Sequence, residues 1–401
     1  MQTFDVIIVG GGILGLTHAR ALKKAGVNSV AVLEKEPTLG LHATGRNSGV
    51  LHAGFYYTSQ SLKAKHCAEG SRRLFEYATE HRIAAKKCGK VVVAPTEADV
   101  PQMQVLLDRA KANGIELKRI SLAELKEIEP EAFSVDSALF SPNTGVIDSK
   151  EVLYALEKEL KALSIPIFLN SDVGVISTSA RTVKTKTETF SYRHLINTAG
   201  LFADKVAHEC GAGKRYKILP FKGLYRKLTP SAAGKFRSLI YPVPDLRLPF
   251  LGVHVTRSIH DTVSLGPTAI PALGRENYGM LGGMQPLEGL RMAGTLSAMT
   301  FKNTQGMRQL IREELPRYTK GGLLKAAQRI APGLLRGDLS NEGKVGIRAQ
   351  LYDIEKKQLE MDFVVEDAEN STHILNAISP AFSASFAFSE WIINERVLPR
   401  L

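Results

Sequence analysis

Apolar positions along the chain fall into two rhythms. TFDVIIV at Thr3–Val9 is a short β-rich run that breaks at Gly10, Gly11 and Gly12, which predicts a buried strand closed by a tight turn. From Ile13 the spacing changes, with Leu16, Ala19 and Leu22 on one helical face until Ala25 and Gly26, where glycine suits a C-terminal cap. SVAVL at Ser29–Leu33 predicts a second strand, ending in Glu34. Further on, DSKEVLYALEKELKAL predicts a helix in which Asp148 and Glu151 have capping-box spacing. IPIFL, VGVIS and RTVKTKTETF then predict short strands, and HLINTAGLFADKVA predicts strand, turn at Thr198-Ala199-Gly200, and helix. The remaining pattern gives a strand at Lys90–Ala94, strands around 220–270, helices in GMRQLIREEL and LLKAAQRI, and a loop then helix in ISPAFSASFAFSEWII. No internal repeat and no low-complexity linker interrupts this order.

Strands alternating with helices near the start predict an α/β protein. With 401 residues and 44% hydrophobic residues, the chain can build two cores. It holds no run of about 18 apolar residues, and it enters its first strand without a basic region or cleavage site. It is therefore expected to be cytoplasmic and not membrane-spanning. Cys67, Cys88 and Cys210 are odd in number and far apart, the pattern of reduced structural thiols rather than a metal or disulfide set. An excess of 52 Lys+Arg over 40 Asp+Glu gives a net charge of +12. The basic residues are scattered, and neither a helix-turn-helix nor a basic–aromatic stripe accompanies them, which argues against nucleic acid. The charge does permit peripheral contact with an anionic lipid surface at the inner membrane face.

The first strand, the Gly10-x-Gly12-x-x-Gly15 turn and the helix form a dinucleotide fingerprint. Gly10 permits the turn, Gly12 lets backbone approach a pyrophosphate, and Gly15 lets the helix pack on the strand. The helix N-terminus offers N–H groups and a positive dipole end to the phosphates. Glu34 stands where an acceptor for ribose hydroxyls is expected. After it comes GLHATGRNSGVLHAGFYY, where Gly40, Gly45, Gly49 and Gly54 interleave with polar groups. A simple NAD unit has no use for such a stretch. A flavin ring has, because protein donors must surround it, and Thr44, Arg46, Asn47, Ser48 and Gly49 suit pyrophosphate and ring contacts. The small turn at Ala199 and Gly200 would let a second strand end approach the same cofactor.

These pieces together resemble the D-amino-acid-oxidase-like superfamily of FAD enzymes. HATGRNSGVLHAGFYYTSQSLKAKHCAEG, CGKVVVAP, NTGVID, YPVPDLRLPFLGVHVT, LGPTAI and GIRAQ narrow the likeness to the L-2-hydroxyglutarate dehydrogenase family, in family order over nearly the whole chain. The resemblance implies a Rossmann-like FAD-binding domain gathered from residues 1–88, 146–215 and 336–401. An α+β substrate domain with a mainly antiparallel sheet would take 89–145 and 216–335. It also implies FAD as cofactor, with Ile13, Lys35, Val173, Arg348, Ala381 and Ser383 joining its binding residues, and no metal. The implied reaction is oxidation of L-2-hydroxyglutarate to 2-oxoglutarate, with oxygen or a membrane quinone as electron acceptor.

Oxidising a 2-hydroxy acid needs hydride transfer to the flavin, a base for the hydroxyl proton, and cations for carboxylates. His52 in VLHAG and His254 in FLGVHVT are the candidate bases, with His373 third. Arg348 in GIRAQ is the best carboxylate fork, and Lys222 in PFKG a second cation. Tyr57 and Tyr241 could offer hydroxyls, although packing is the reading favoured for both. Two departures from the family pattern bear on substrate: FKGLY stands where FRGDY is common, and Leu375 stands where an Arg is common. They leave room for another hydroxy acid, glycerol 3-phosphate, or an amine substrate of the glycine or sarcosine oxidase type.

Overall fold

Val, Ile and Leu runs at Gln2–Val9 and Val30–Leu33 lie at the centre of a sheet buried on both faces, as continuous apolar strands must. The computed structural model describes all 401 residues except 248, 249, 280 and 281. Leu248 and Pro249 of the YPVPDLRLPFLGVHVT block thus lie outside the described residues. The first sheet has eight strands, running Val173–Ser177, Thr182–Thr185, Thr189–Asn197, Gln2–Val9, Val30–Leu33 and Ile167–Phe168, with Ser371–Ile374 and Val365–Ala368 attached. Gln2–Val9 pairs in parallel with Thr189–Asn197 and with Val30–Leu33, so two strand–turn–helix units open toward the same end. The helices Ile13–Lys24, Ser149–Ala162 and Ala381–Ile392 join Val6, Ile8 and Val32 in one apolar core. Asp148 caps the second of these helices, accepting from the N–H groups of Lys150 and Glu151.

A second, ten-stranded sheet is mostly antiparallel and places Tyr216–Leu228 beside Val263–Gly266, His254–Arg257, Leu239–Pro242 and Lys90–Val93. Its longest pairing runs from Tyr216 against Asp353 to Leu228 against Leu339. That pairing corrects one expected boundary. Leu339–Asp353 and Gln358–Leu359 belong to this second sheet, so the segment 336–401 is divided between the sheets rather than lying wholly with the dinucleotide unit. Val50–Leu51, Gly145–Ile147 and Ala85–Lys86 form a small sheet between the two large ones. Among the described residues no helix is long and apolar enough to cross a membrane.

Candidate active site

The first turn is built so that only glycine fits at two of its positions. Gly10 has φ +107°, and a Cβ there would lie 2.6 Å from the Thr198 carbonyl oxygen. A Cβ on Gly15 would lie 1.9 Å from the Gly10 oxygen, so this glycine sits behind the turn and sets how closely the helix packs. Gly12 is the N-cap residue, and Ile13 donates its N–H to Thr44 Oγ1 at 3.0 Å. Glu34 is held at the end of its strand by the N–H groups of Gly11 (2.7 Å) and Glu36 (3.0 Å).

From this turn a single cavity of about 740 Å³ runs past Glu34, Thr44 and Ala199 to Tyr241, His254 and Arg348, a volume suited to a cofactor and small substrate. Apart from Gly15, every residue expected at the cofactor borders it: Gly10, Gly12, Ile13, Glu34, Lys35, Thr44, Arg46, Asn47, Ser48, Gly49, Val173, Ala199, Gly200, Arg348, Ala381 and Ser383. Several of these also hold the wall in shape. Asn47 Oδ1 accepts from Gly49 N–H at 2.8 Å, and Arg46 donates to the carbonyls of Leu41 and Val345 while lying 4.0 Å over the Tyr278 ring. Lys35 pairs with Glu36 and Glu276, and His42 reaches the same two carboxylates. The three residues converge as metal ligands could, yet the Lys35 ammonium already fills their midst. The glycine cradle, the helix N-terminus and the anchored Glu34 carboxylate fit FAD's pyrophosphate and ribose.

At the far end His52, His254, Tyr57, Tyr241 and Arg348 come together on the cavity wall. His52 follows the small-sheet strand Val50–Leu51; its backbone N–H donates to Ser383 Oγ at 3.0 Å, and its ring lies 3.4 Å from Ser379 Oγ through Nε2. Burial holds its pKa well below the ordinary histidine value, and the charges of Lys90 and His254 add to that. His254 stacks on Tyr241 with ring centroids 3.8 Å apart and donates Nδ1–H to the Gly252 carbonyl at 3.0 Å. Burial, then Lys90, lowers it to about 3. Both imidazoles are therefore neutral near pH 7. Arg348 donates to the Thr268 carbonyl at 2.9 Å and lies over the Phe250 ring, with the rest of its fork toward the cavity.

Three expected features do not reach the cavity. Lys222 is buried with its ammonium bonded to Asn277 Oδ1 (2.9 Å) and the Gly279 carbonyl (2.8 Å), because its strand position turns it to the opposite side from Gly223. His373 is bonded to Asn197 and Ser371 inside the first sheet. Leu375 packs with Ala203, Ala207 and Tyr216 in an apolar cluster. Neither departure from the family pattern lines the cavity.

The cavity wall carries two buried or half-buried cations not expected from sequence. Lys63 is buried, with its ammonium 5.6 Å over the Tyr57 ring, and burial lowers it to about 8 against the opposing charge of Asp362. Arg109 donates to the Tyr56 carbonyl from the helix Val100–Ala112. A third, Lys90, lies just behind the wall, fully buried at the start of Lys90–Val93. Helical spacing of Lys63 with buried Cys67 and Gly70, and the unbroken apolar run after Lys90, are the signals that could have found two of them. All three cysteines are free, and burial pushes Cys67 up to about 12 and Cys210 to about 11, which suits structural thiols.

This arrangement defines an FAD-dependent oxidoreductase, and the family model described as DAO, FAD dependent oxidoreductase, matches residues 5–394. The L-2-hydroxyglutarate dehydrogenase of Indibacter alkaliphilus is 38% identical, covering 98% of this chain and 99% of that relative. The mitochondrial L-2-hydroxyglutarate dehydrogenase of Bos taurus is 33% identical over 98% of this chain and 89% of its own length. The chain belongs to the L-2-hydroxyglutarate dehydrogenase family. Among solved structures, the dithionite-reduced L-α-glycerophosphate oxidase of Mycoplasma pneumoniae with FAD bound superposes with a TM-score of 0.77 at 22% identity, covering 98% of this chain and 94% of that one. Glycine oxidase from Geobacillus kaustophilus gives 0.73 at 16% identity, with 98% and 94% covered. These two likenesses concern the fold alone.

Proposed function

We propose that the enzyme oxidises L-2-hydroxyglutarate to 2-oxoglutarate. The carrying observation is one cavity that joins a dinucleotide cradle to two neutral imidazoles and several buried or half-buried cations. Bound FAD supplies the two-electron acceptor for hydride from C2 at its N5. Arg348 anchors the carboxylate next to the reacting carbon, and Lys63 and Arg109, beside Tyr56 and Tyr57, take the distal one. His52 receives the hydroxyl proton at Nε2. His254, its Nδ1–H spent on Gly252, offers Nε2 as an acceptor that orients the hydroxyl. An amino-acid substrate would bring an ammonium toward this cluster of cations, a like-charge cost that a hydroxy acid avoids.

The purified flavoprotein, mixed anaerobically with L-2-hydroxyglutarate, D-2-hydroxyglutarate, L-lactate, glycerol 3-phosphate and sarcosine separately, should lose its visible flavin absorbance with the first alone. Bleaching by sarcosine or glycerol 3-phosphate in its place would overturn the substrate assignment.

For the electron acceptor, the helix Pro286–Lys302 favours a quinone reached from an anionic membrane face over oxygen. Leu287, Leu290 and Phe301 are 79%, 72% and 80% exposed on one side, flanked by Arg291 and Lys302, while Met292 and Met299 fill the inner side. An outward apolar stripe bordered by cations suits acidic headgroups. Cosedimentation with acidic phospholipid vesicles, absent with neutral ones and lost in the double variant Leu290→Glu, Phe301→Glu, is the expected result. No difference between vesicle types would favour oxygen as the acceptor.

A further inference from the structure

The backbone of Lys90 is paired in the second sheet, but its side chain makes no ion pair among the described residues. Its side chain is wholly enclosed, and Nζ lies 4.3 Å from the Tyr241 ring centroid, 5.3 Å from that of Tyr56 and 5.6 Å from that of Phe55. Among the described residues no carboxylate joins that cage. Its hydrogen-bond partner among the described residues is His52 Nδ1, at 3.4 Å. The other ring nitrogen of His52 faces Ser379 Oγ at the cavity. A buried lysine without a counter-ion is costly, and here it touches the proposed base on the side away from substrate.

We propose that Lys90 is the positioning residue and proton store behind His52: its amine selects the His52 tautomer and receives the proton that His52 passes on. The proposal rests on His52 being the base. The two ring nitrogens of a neutral imidazole cannot both be acceptors. With Lys90 as ammonium, Nδ1 accepts from it and Nε2 carries the hydrogen, so no lone pair faces the substrate hydroxyl. With Lys90 as neutral amine, Nδ1–H donates to the amine lone pair and Nε2 is bare. Oxidation then proceeds with a closed proton account. The substrate O–H bond breaks as an Nε2–H bond forms; the Nδ1–H bond breaks as Lys90 Nζ gains the proton. The electron pair left on oxygen becomes the carbonyl π bond while C2 gives up hydride to FAD.

The surroundings tune both partners for this. Burial lowers Lys90 to about 7, with the nearby Cys67 and Cys88 thiols opposing the shift. His52 alone would be a weak base at its depressed pKa, and handing its proton to Lys90 restores driving force near neutral pH. The other groups facing this pair, apart from Lys63, stay in one state there. Cys67 lies at about 12, Cys88 is raised by burial, His254 lies at about 3, and Tyr56 and Tyr241 are raised by burial. Lys63, which burial lowers to about 8 against the charges of Asp362 and Cys67, is the exception.

Two measurements test this. In 15N-histidine-labelled wild-type holoenzyme without substrate, the His52 ring signals, assigned with His52→Asn, should change from the Nε2–H to the Nδ1–H tautomer as pH rises through about 7. In rapid-mixing reduction by L-2-hydroxyglutarate, the rate should fall about tenfold per pH unit below that point. Lys90→Met should remove the inflection and Lys90→Arg, which stays charged, should hold the enzyme in the slow form at every pH. A His52 tautomer that does not change across the range overturns the proposal from the wild type alone, even where the variants fail to fold. An unchanged inflection in folded Lys90→Met also overturns it. A wrong substrate assignment would show differently, as failure of L-2-hydroxyglutarate to bleach a protein whose His52 signals still switch.

Discussion

His52→Asn should slow flavin reduction by about 10²–10⁴-fold, the range a positioned general base supplies, while the protein stays yellow and binds substrate almost as before. The contacts that fix this segment are made by backbone: the His52 N–H donates to Ser383 Oγ, and its carbonyl accepts from Cys67 Sγ at 3.3 Å. They survive the substitution, so the loss belongs to the ring. His254→Asn should cost less. That ring has already committed Nδ1 to Gly252 and is stacked on Tyr241, and among the described residues no amine is hydrogen-bonded to it. Single-turnover reduction under anaerobic conditions, with substrate affinity read from the concentration dependence, separates the two. Equal losses in both variants would mean that the imidazoles share the proton step, and a larger loss in His254→Asn would move the base to the other strand.

What sequence could reveal followed from how locally each feature is encoded. The glycine turn, Glu34 and the TGRNSGVLH stretch are legible because backbone conformation and close approach demand particular residues at consecutive positions. Arg348 stands out because charge within a strand-like block has few structural uses, and it lines the cavity. Lys222 shares that feature and yet is structural: its partners, Asn277 and Gly279, come from a loop more than fifty residues away. Sequence spacing carries no information about such a partner. That Leu339–Asp353 pairs within the second sheet is hidden for the same reason, since its neighbour Tyr216–Leu228 is selected by long-range pairing and not by any local signal. Lys90 is the hardest of these to read from sequence. The unbroken apolar run of KVVV marks its lysine as buried, but the three aromatic rings and the imidazole that close over it come from distant segments.

Arg348→Met should lower kcat/KM for L-2-hydroxyglutarate by about 10- to 150-fold, because a charged hydrogen bond contributes about 1.5–3 kcal/mol and each 1.4 kcal/mol is tenfold. The pattern across substrates matters more than the size. Arg348 bears electrostatically on His254, which places it at the reacting end of the cavity, and one arm of its fork is pinned by Thr268, so the guanidinium is oriented before substrate arrives. Every 2-hydroxy acid carries a carboxylate next to C2. The Arg348 variant should therefore lose L-2-hydroxybutyrate turnover by a similar factor. Lys63→Met should behave otherwise: its ammonium lies over Tyr57 beside Asp362, at the part of the wall assigned to the distal carboxylate, so it should lower turnover of the five-carbon diacid and leave the monoacid nearly unchanged. Should Arg348→Met spare the monoacid while Lys63→Met harms it, the substrate lies in the reverse orientation. The hydroxyl would then have to meet its base from the opposite end of the chamber, and the roles given to His52 and Lys90 would fall with that orientation.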